Sequence, residues 1–256
     1  MSSALVLEGL TKRFGDRVAV DNLNLTVEPG ELFGFLGPNG AGKTTTIKML
    51  VGLLRPTSGH ASLGGYDVVA QAQQARRLTG YVPDHAAMYD KLTGREMLGL
   101  IADLFEVPRE QQENRIGPML ETFALSEHGD ELVQSYSRGM RQKLALCAAL
   151  IHDPQVLFLD EPTVGLDPAG ARQIKAVLRH LCSEGRTVFL STHVLEIAEL
   201  LCDRVGIIQQ GRLITVAPPS ELRQSGGHSN LESAFIDITG AGSDDHMEPL
   251  IKALRG

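Results

Sequence analysis

Residues 32–44 read Leu32-Phe33-Gly34-Phe35-Leu36-Gly37-Pro38-Asn39-Gly40-Ala41-Gly42-Lys43-Thr44. The first five are apolar and read as a buried strand. The next eight fill every fixed position of G-x-x-x-x-G-K-[ST]. The glycines let the backbone turn so that successive N–H groups point inward, and a helix starting near Lys43 adds its positive end to the same spot. Such a loop cradles phosphate. Lys43 reaches the outer phosphates, the Thr44 hydroxyl ligates magnesium, and Thr45 joins the nucleotide-binding set in the same first turn. A glycine-rich turn that matches by chance is the alternative, and the position between strand and helix argues against it.

Composition narrows the field. A chain of 256 residues, 43 % hydrophobic, can bury a large core as one domain with subdomains. Its 24 Lys and Arg stand against 31 Asp and Glu, a formal charge of -7, which disfavours nucleic-acid binding by bulk electrostatics; no direct nucleic-acid partner is expected. The longest uninterrupted apolar run is Leu144 to Ile151, far below the roughly 18 residues of a membrane span, so the chain is not expected to cross a bilayer by itself. Met1-Ser2-Ser3-Ala4 lacks the basic and apolar regions of a secretory signal. Cys147, Cys182 and Cys202 are scattered without C-x-x-C spacing, which reads as buried thiols in a reducing cytosol.

Along the chain, Leu5 to Leu10 and Val18 to Val27 alternate apolar and polar residues around a turn at Phe14-Gly15-Asp16 and read as antiparallel strands. A helix is expected from Lys43 to Leu54, then strand material from His60 to Leu63 and from Leu78 to Val82. Between Asp84 and about Leu150 the spacing turns helical, over Arg95 to Phe105, Ile116 to Leu125 and Arg138 to Ile151. Strand and helix then alternate: Val156 to Asp160, Pro168 to Ser183, Thr187 to Ser191, Val194 to Leu201 and Arg204 to Gln209. The Gln210-Gly211 turn leads into Arg212 to Val216, and a short helix, Leu231 to Ile238, precedes a polar tail at 241–256. The alternation predicts an α/β fold: a mainly parallel sheet flanked by helices, an N-terminal antiparallel β subdomain and a helical insertion over about 84–150.

Val156-Leu157-Phe158-Leu159-Asp160-Glu161 is the second decisive constellation. A buried parallel strand delivers two carboxylates to its C-terminal edge, where ligands bind in such sheets. Asp160 suits magnesium; Glu161 suits a general base that orients water at the γ-phosphate. A solvated acidic loop is the bland alternative, disfavoured by the phosphate loop in the same chain.

With Tyr136-Ser137-Arg138-Gly139-Met140-Arg141-Gln142 standing shortly before that strand, the chain resembles, from about Leu5 to Gly240, the ATP-binding subunit of an ATP-binding cassette (ABC) transporter. That seven-residue run is similar to the family's signature motif and separates the chain from kinases and small GTPases. The resemblance implies a P-loop NTPase core spanning 1–240 as a single ATPase domain. Gly165-Leu166-Asp167 resembles the loop that crosses the dimer interface, and His193 the switch histidine that senses γ-phosphate. Phe14 stands where the family places an aromatic ring under adenine, and a strand-end Phe packed in the core is the alternative.

Two departures stand out. Tyr136, Arg138 and Met140 replace the Leu, Gly and Gln of many members, a variant similar to the ABC-2 branch of drug-export-like and polysaccharide-export-like systems. Asp84 occupies the usual glutamine position, where a carboxylate can hold magnesium or water and adds negative charge beside the γ-phosphate; the next residue, His85, does not restore a glutamine. The resemblance implies ATP and Mg2+ as ligands. It also implies a homodimer or a paired nucleotide-binding subunit whose Ser137 and Gly139 complete the phosphate site in trans, and a membrane-spanning transporter subunit as partner. The chain would then be cytoplasmic, peripheral on the inner face of the membrane, and would power transport in the export direction. A soluble ATP switch acting on nucleic acid or ribosomes is the alternative. It is disfavoured because no long coiled coil splits the cassette and no second cassette follows. A plain nucleotide kinase would need an acceptor pocket that nothing after Val82 suggests.

Overall fold

The computed structural model describes residues 3–163, 166–225 and 227–240. Gly165 and the 241–256 tail lie outside the described residues. Strands β1 (Leu5–Phe14) and β2 (Arg17–Val27) form the expected antiparallel hairpin. Leu5 and Leu7 of β1 and Leu23, Leu25 and Val27 of β2 turn inward, the face that a period of two dictates; Leu10 joins them because the register shifts between Leu7 and Leu10.

The next strand, β3 (Leu32–Leu36), leads into helix α1 (Lys43–Leu50), as the phosphate-loop reading requires. Strands β4 (Ser58–Leu63) and β5 (Tyr66–Asp67) complete a four-stranded antiparallel sheet in the order β2-β1-β4-β5. A short helix α2 (Ala72–Arg77) returns the chain to β6 (Thr79–Val82).

The helical layer follows: α3 (Gly94–Leu104), α4 (Arg109–Thr122) and α5 (Arg138–Leu150). Thr93 and Glu96 close a reciprocal capping box on α3, and Ser137 caps α5 by accepting from the Met140 N–H. Strand and helix then alternate through β7 (Val156–Asp160), α6 (Pro168–Ser183), β8 (Thr187–Thr192), α7 (Leu195–Leu201) and β9 (Arg204–Gln209). Last come β10 (Arg212–Ala217), α8 (Pro219–Ser225) and α9 (Leu231–Thr239).

The main sheet has the order β10-β9-β3-β8-β7-β6 and is parallel except for β10, which pairs antiparallel with β9. Strands β3, β7 and β8 are buried along their whole length, as parallel strands covered on both faces must be. Successive side chains go to opposite sides. Leu32, Leu36, Leu157, Leu159, Val188 and Leu190 enter a core shared with the helical layer and α6. Phe33, Phe35, Val156, Phe158 and Phe189 enter a second core, under the antiparallel sheet and α1. There the Phe189 ring lies 5.3 to 5.5 Å, centroid to centroid, from Phe33, Phe35 and Phe158, within the favoured range for aromatic pairs.

Several elements differ from expectation. Helix α1 stops at Leu50, because Gly52 takes φ +73° and the Leu53 and Leu54 N–H groups fold back onto the Lys48 carbonyl. Helix α4 begins at Arg109, since Arg109 to Arg115 is polar and carries no apolar spacing to read. The six- and seven-residue helices α2 and α8 are too short to show a period. Cys147, Cys182 and Cys202 are free thiols; Cys147 and Cys202 are buried, as expected, and Cys182 is only partly so. Among the described residues, no helix is long and apolar enough to cross a membrane.

Candidate nucleotide site

The loop after β3 is threaded between β9 and β2, and this fixes its glycines. A Cβ on Gly37 would collide with the Ile208 carbonyl oxygen; Gly42 takes φ +112°, and a Cβ there would lie 2.6 Å from the Ala19 carbonyl oxygen. No L side chain fits both demands. Lys43 is buried, and its Nζ donates to the carbonyls of Gly37 (2.6 Å) and Pro38 (3.2 Å). Burial holds its pKa below the ordinary lysine value, against the opposing pull of Glu161 and Asp160. The first-turn N–H groups of α1 have no intrahelical partners and remain free to donate to a ligand.

Asn39, Gly40, Gly42, Lys43, Thr44 and Thr45 line one cavity of about 380 Å³ with Asp84, Asp160, Glu161, Phe14, Arg17 and Ala19. That volume suits a bound small molecule. Pro38 and Ala41 shape the loop without lining the cavity, and Ala41 is buried. Phe14 is 51 % exposed at the end of β1, with Lys12 Nζ 5.1 Å from its ring centroid. It is therefore a rim residue rather than a core one.

The two acidic residues at the end of β7 have separate partners. Asp160 is 2 % exposed; its Oδ2 accepts from the Thr44 hydroxyl at 2.7 Å and its Oδ1 from the Ser191 hydroxyl. Glu161 takes φ +53°, a left-handed backbone that stores strain in a residue other than glycine. Its N–H donates to the Ser191 carbonyl at 3.0 Å. Its carboxylate accepts from the Thr192 hydroxyl at 3.2 Å and pairs with His193 Nδ1 at 2.8 Å. The turn after β7 thus parts two adjacent carboxylates: one is tied to the helix of the phosphate loop and the other to the end of β8. Nearby, burial pushes the Tyr81 hydroxyl up to about 12, with the Asp160 and Asp84 charges adding to the shift.

Asp84 sits on the cavity rim and pairs with His85 Nδ1 at 2.9 Å and Arg138 Nη2 at 3.9 Å. Ser137 and Gly139 are not gathered with the phosphate loop. They stand at the start of α5, with Ser137 exposed and Gly139 partly so, outside the cavity of their own chain. His193 likewise contacts Glu161 without lining the cavity. Leu166 is partly buried against the core, and Asp167 caps α6 through the Gly170 N–H at 2.9 Å.

Arg17, Ala19, Ser191 and Thr192 escaped the sequence reading. Ser191 faces Asp160 because β7 and β8 pair in the register Asp160↔Ser191. The signal was present in the polar pair closing an apolar strand, on the edge where parallel sheets bind ligands. Arg17 follows the turn after Phe14, so whatever brings Phe14 to the rim brings Arg17 as well.

A family model described as ABC transporter matches residues 20–164. The chain is 40 % identical over 248 residues to the daunorubicin resistance ATP-binding protein DrrA3 of Streptomyces coeruleorubidus, covering 97 % of this chain and 78 % of that one. It is also 40 % identical over 250 residues to the Nod factor export ATP-binding protein I of Cupriavidus metallidurans, covering 98 % and 80 %. Among solved structures, an ATP-binding subunit of an ABC transporter superposes with a TM-score of 0.87 at 29 % identity, covering 92 % of this chain and 99 % of that one.

Proposed function

This chain belongs to the ABC transporter family, and from that premise we propose that it binds and hydrolyses ATP to power export through a separate membrane-spanning subunit. The parting of Asp160 and Glu161 at the end of β7 carries the reading. Thr44 and Asp160 offer two hard oxygen donors, a set that would hold Mg2+. When bound, the ion neutralises charge on the β- and γ-phosphates. The loop N–H groups and Lys43 hold the triphosphate. Glu161, held by Thr192 and His193, takes the proton of the attacking water, and Phe14 supports the base from the rim.

Ser137 and Gly139, turned away from their own cavity, serve the cavity of a second copy or of a paired subunit. There the start of α5 adds its positive end to the γ-phosphate. ATP closes the pair, and hydrolysis reopens it. A separate apolar groove of about 300 Å³, with Leu53, Met88, Met97, Ile101, Phe105 and Ala148 on its walls, lies between the core and the helical layer. It is the surface on which a cytoplasmic segment of the membrane subunit docks, which makes the chain peripheral on the inner face of the membrane.

The test is Glu161→Gln. Phosphate release should fall about 10²- to 10⁴-fold, while ATP affinity measured by calorimetry stays within a few-fold of the parent. Near-normal turnover would remove Glu161 as the base.

A further inference from the structure

We propose that Asp84 is a positioning residue that acts through Arg138. With Asp90 and Arg141, the two form a charge strut between the rim of the nucleotide cavity and the first turn of α5. The proposal rests on the functional reading above in naming ATP as the ligand. One residue comes from each of the two departures noted in the sequence, an acid for a glutamine and an arginine for a glycine, and the fold brings them together.

Asp84 lines the cavity, and its carboxylate lies 3.9 Å from Arg138 Nη2. Further along the same loop, Asp90 Oδ1 lies 2.8 Å from Arg141 Nη1. Arg138 and Arg141 are one helical turn apart and so share a face of α5. Main-chain bonds stitch the loop to the segment entering α5: Gln134 N–H donates to the Asp90 carbonyl at 3.2 Å, and Val133 N–H to the Leu92 carbonyl at 2.8 Å. Lys91 Nζ adds a bond to the Gln134 side-chain oxygen at 2.9 Å. The loop is thus fastened to the approach of α5 at one end and reaches the cavity at the other.

The chemistry explains why the pair is needed. A carboxylate added beside Asp160, Glu161 and a triphosphate repels all three, and a guanidinium close to it offsets that repulsion. The pair is too exposed, at 57 % and 41 % of the two side chains, to add much to folding stability. Its effect falls instead on where the start of α5 sits. A triphosphate entering the cavity deepens the negative field at Arg138 and draws that turn, with Ser137 and Gly139, toward the rim. Occupancy of the cavity is thereby felt at the surface that serves the second copy.

The experiment uses the full chain carrying Glu161→Gln and reads ATP-driven dimerisation by light scattering across a magnesium titration. Asp84→Asn and Arg138→Gln should each weaken dimerisation about two- to fivefold, the range of an exposed charge pair. The double variant should be no worse than either single one, Asp84→Glu and Arg138→Lys should retain most of the parent's behaviour, and the magnesium midpoint should not move. Additive losses would overturn the strut by giving Arg138 a separate partner. So would a raised magnesium midpoint in Asp84→Asn alone, which would make Asp84 a metal ligand. If the Glu161→Gln parent itself fails to dimerise with ATP, the functional reading falls and the strut with it; a dimerising parent whose variants show no coupling sinks the strut alone.

Discussion

Asp160 is held from two elements at once, by Thr44 on α1 and Ser191 on β8. Both bonds are made to a buried charge, and such bonds contribute about 1.5–3 kcal/mol each. Ser191→Ala therefore leaves a buried carboxylate oxygen without its donor. The unfolding midpoint should drop by several degrees, at about 2–4 °C per kcal/mol for a chain of this size, as calorimetry would measure; an unchanged midpoint would mean that the hydroxyl contributes nothing. Asp160 and Glu161 are legible in the sequence because four apolar residues deliver them to a strand end. Ser191 is not, because a serine closing a strand is common and only the pairing of β7 with β8 gives it a partner.

Among the elements, α3 shows how a local signal and a charge work together. Glu96 accepts from the Thr93 N–H at 2.8 Å while the Thr93 hydroxyl accepts from the Glu96 N–H at 3.2 Å. The backbone bond from Thr93 holds the Glu96 carboxyl below its ordinary value of 4.5. A depressed carboxylate stabilises fully above its unfolded pKa and loses that contribution as pH falls through the folded one. The gap in unfolding midpoint between the parent and Glu96→Ala should therefore be present at pH 7 and shrink once the pH falls below about 4; a gap independent of pH would show that the carboxylate charge plays no part. Thr93 followed by Glu96 and an apolar helix is also why α3 could be read in advance. By contrast, the first half of α4 reads Arg109-Glu110-Gln111-Gln112-Glu113-Asn114-Arg115, a polar face whose start signals are Pro108 at the cap position and Glu110 in the first turn, with no apolar spacing behind them. The strand order, with β3 between β8 and β9, was likewise not legible, since pairing partners far apart in sequence are set by packing.

At the scale of the whole molecule, the exposed apolar residues Leu53, Tyr89 and Leu104 are 66 %, 63 % and 69 % exposed, with Leu53 on the groove itself. The groove that Leu53 borders, walled by Met88, Met97, Ile101 and Phe105, is the apolar surface to which the proposed function assigns the membrane partner. Purified from its native membranes in mild detergent, the tagged chain should bring down a multi-span membrane protein in near-equal amount, identified by mass spectrometry. Recovery of soluble or nucleic-acid-bound partners alone would replace the transporter reading with that of an ATP switch.

The two cores have one sheet as their common wall, and this bears on how such a chain can change over generations. Inserting a single residue into β7 would exchange the residues facing the two cores, turning Phe158 to the helical side and Leu159 to the other, and would carry the acidic pair off its edge. Inheritance can therefore edit this strand by substitution and not by length. The helical layer packs on the opposite face of the sheet and can lengthen, shorten and be refitted to a new membrane subunit without disturbing the phenylalanine cluster behind it. Diverging lineages should keep the count from Val156 to Glu161 fixed and let the length of the span between Asp84 and Ser137 drift, so that one engine is handed down while its coupling is rebuilt.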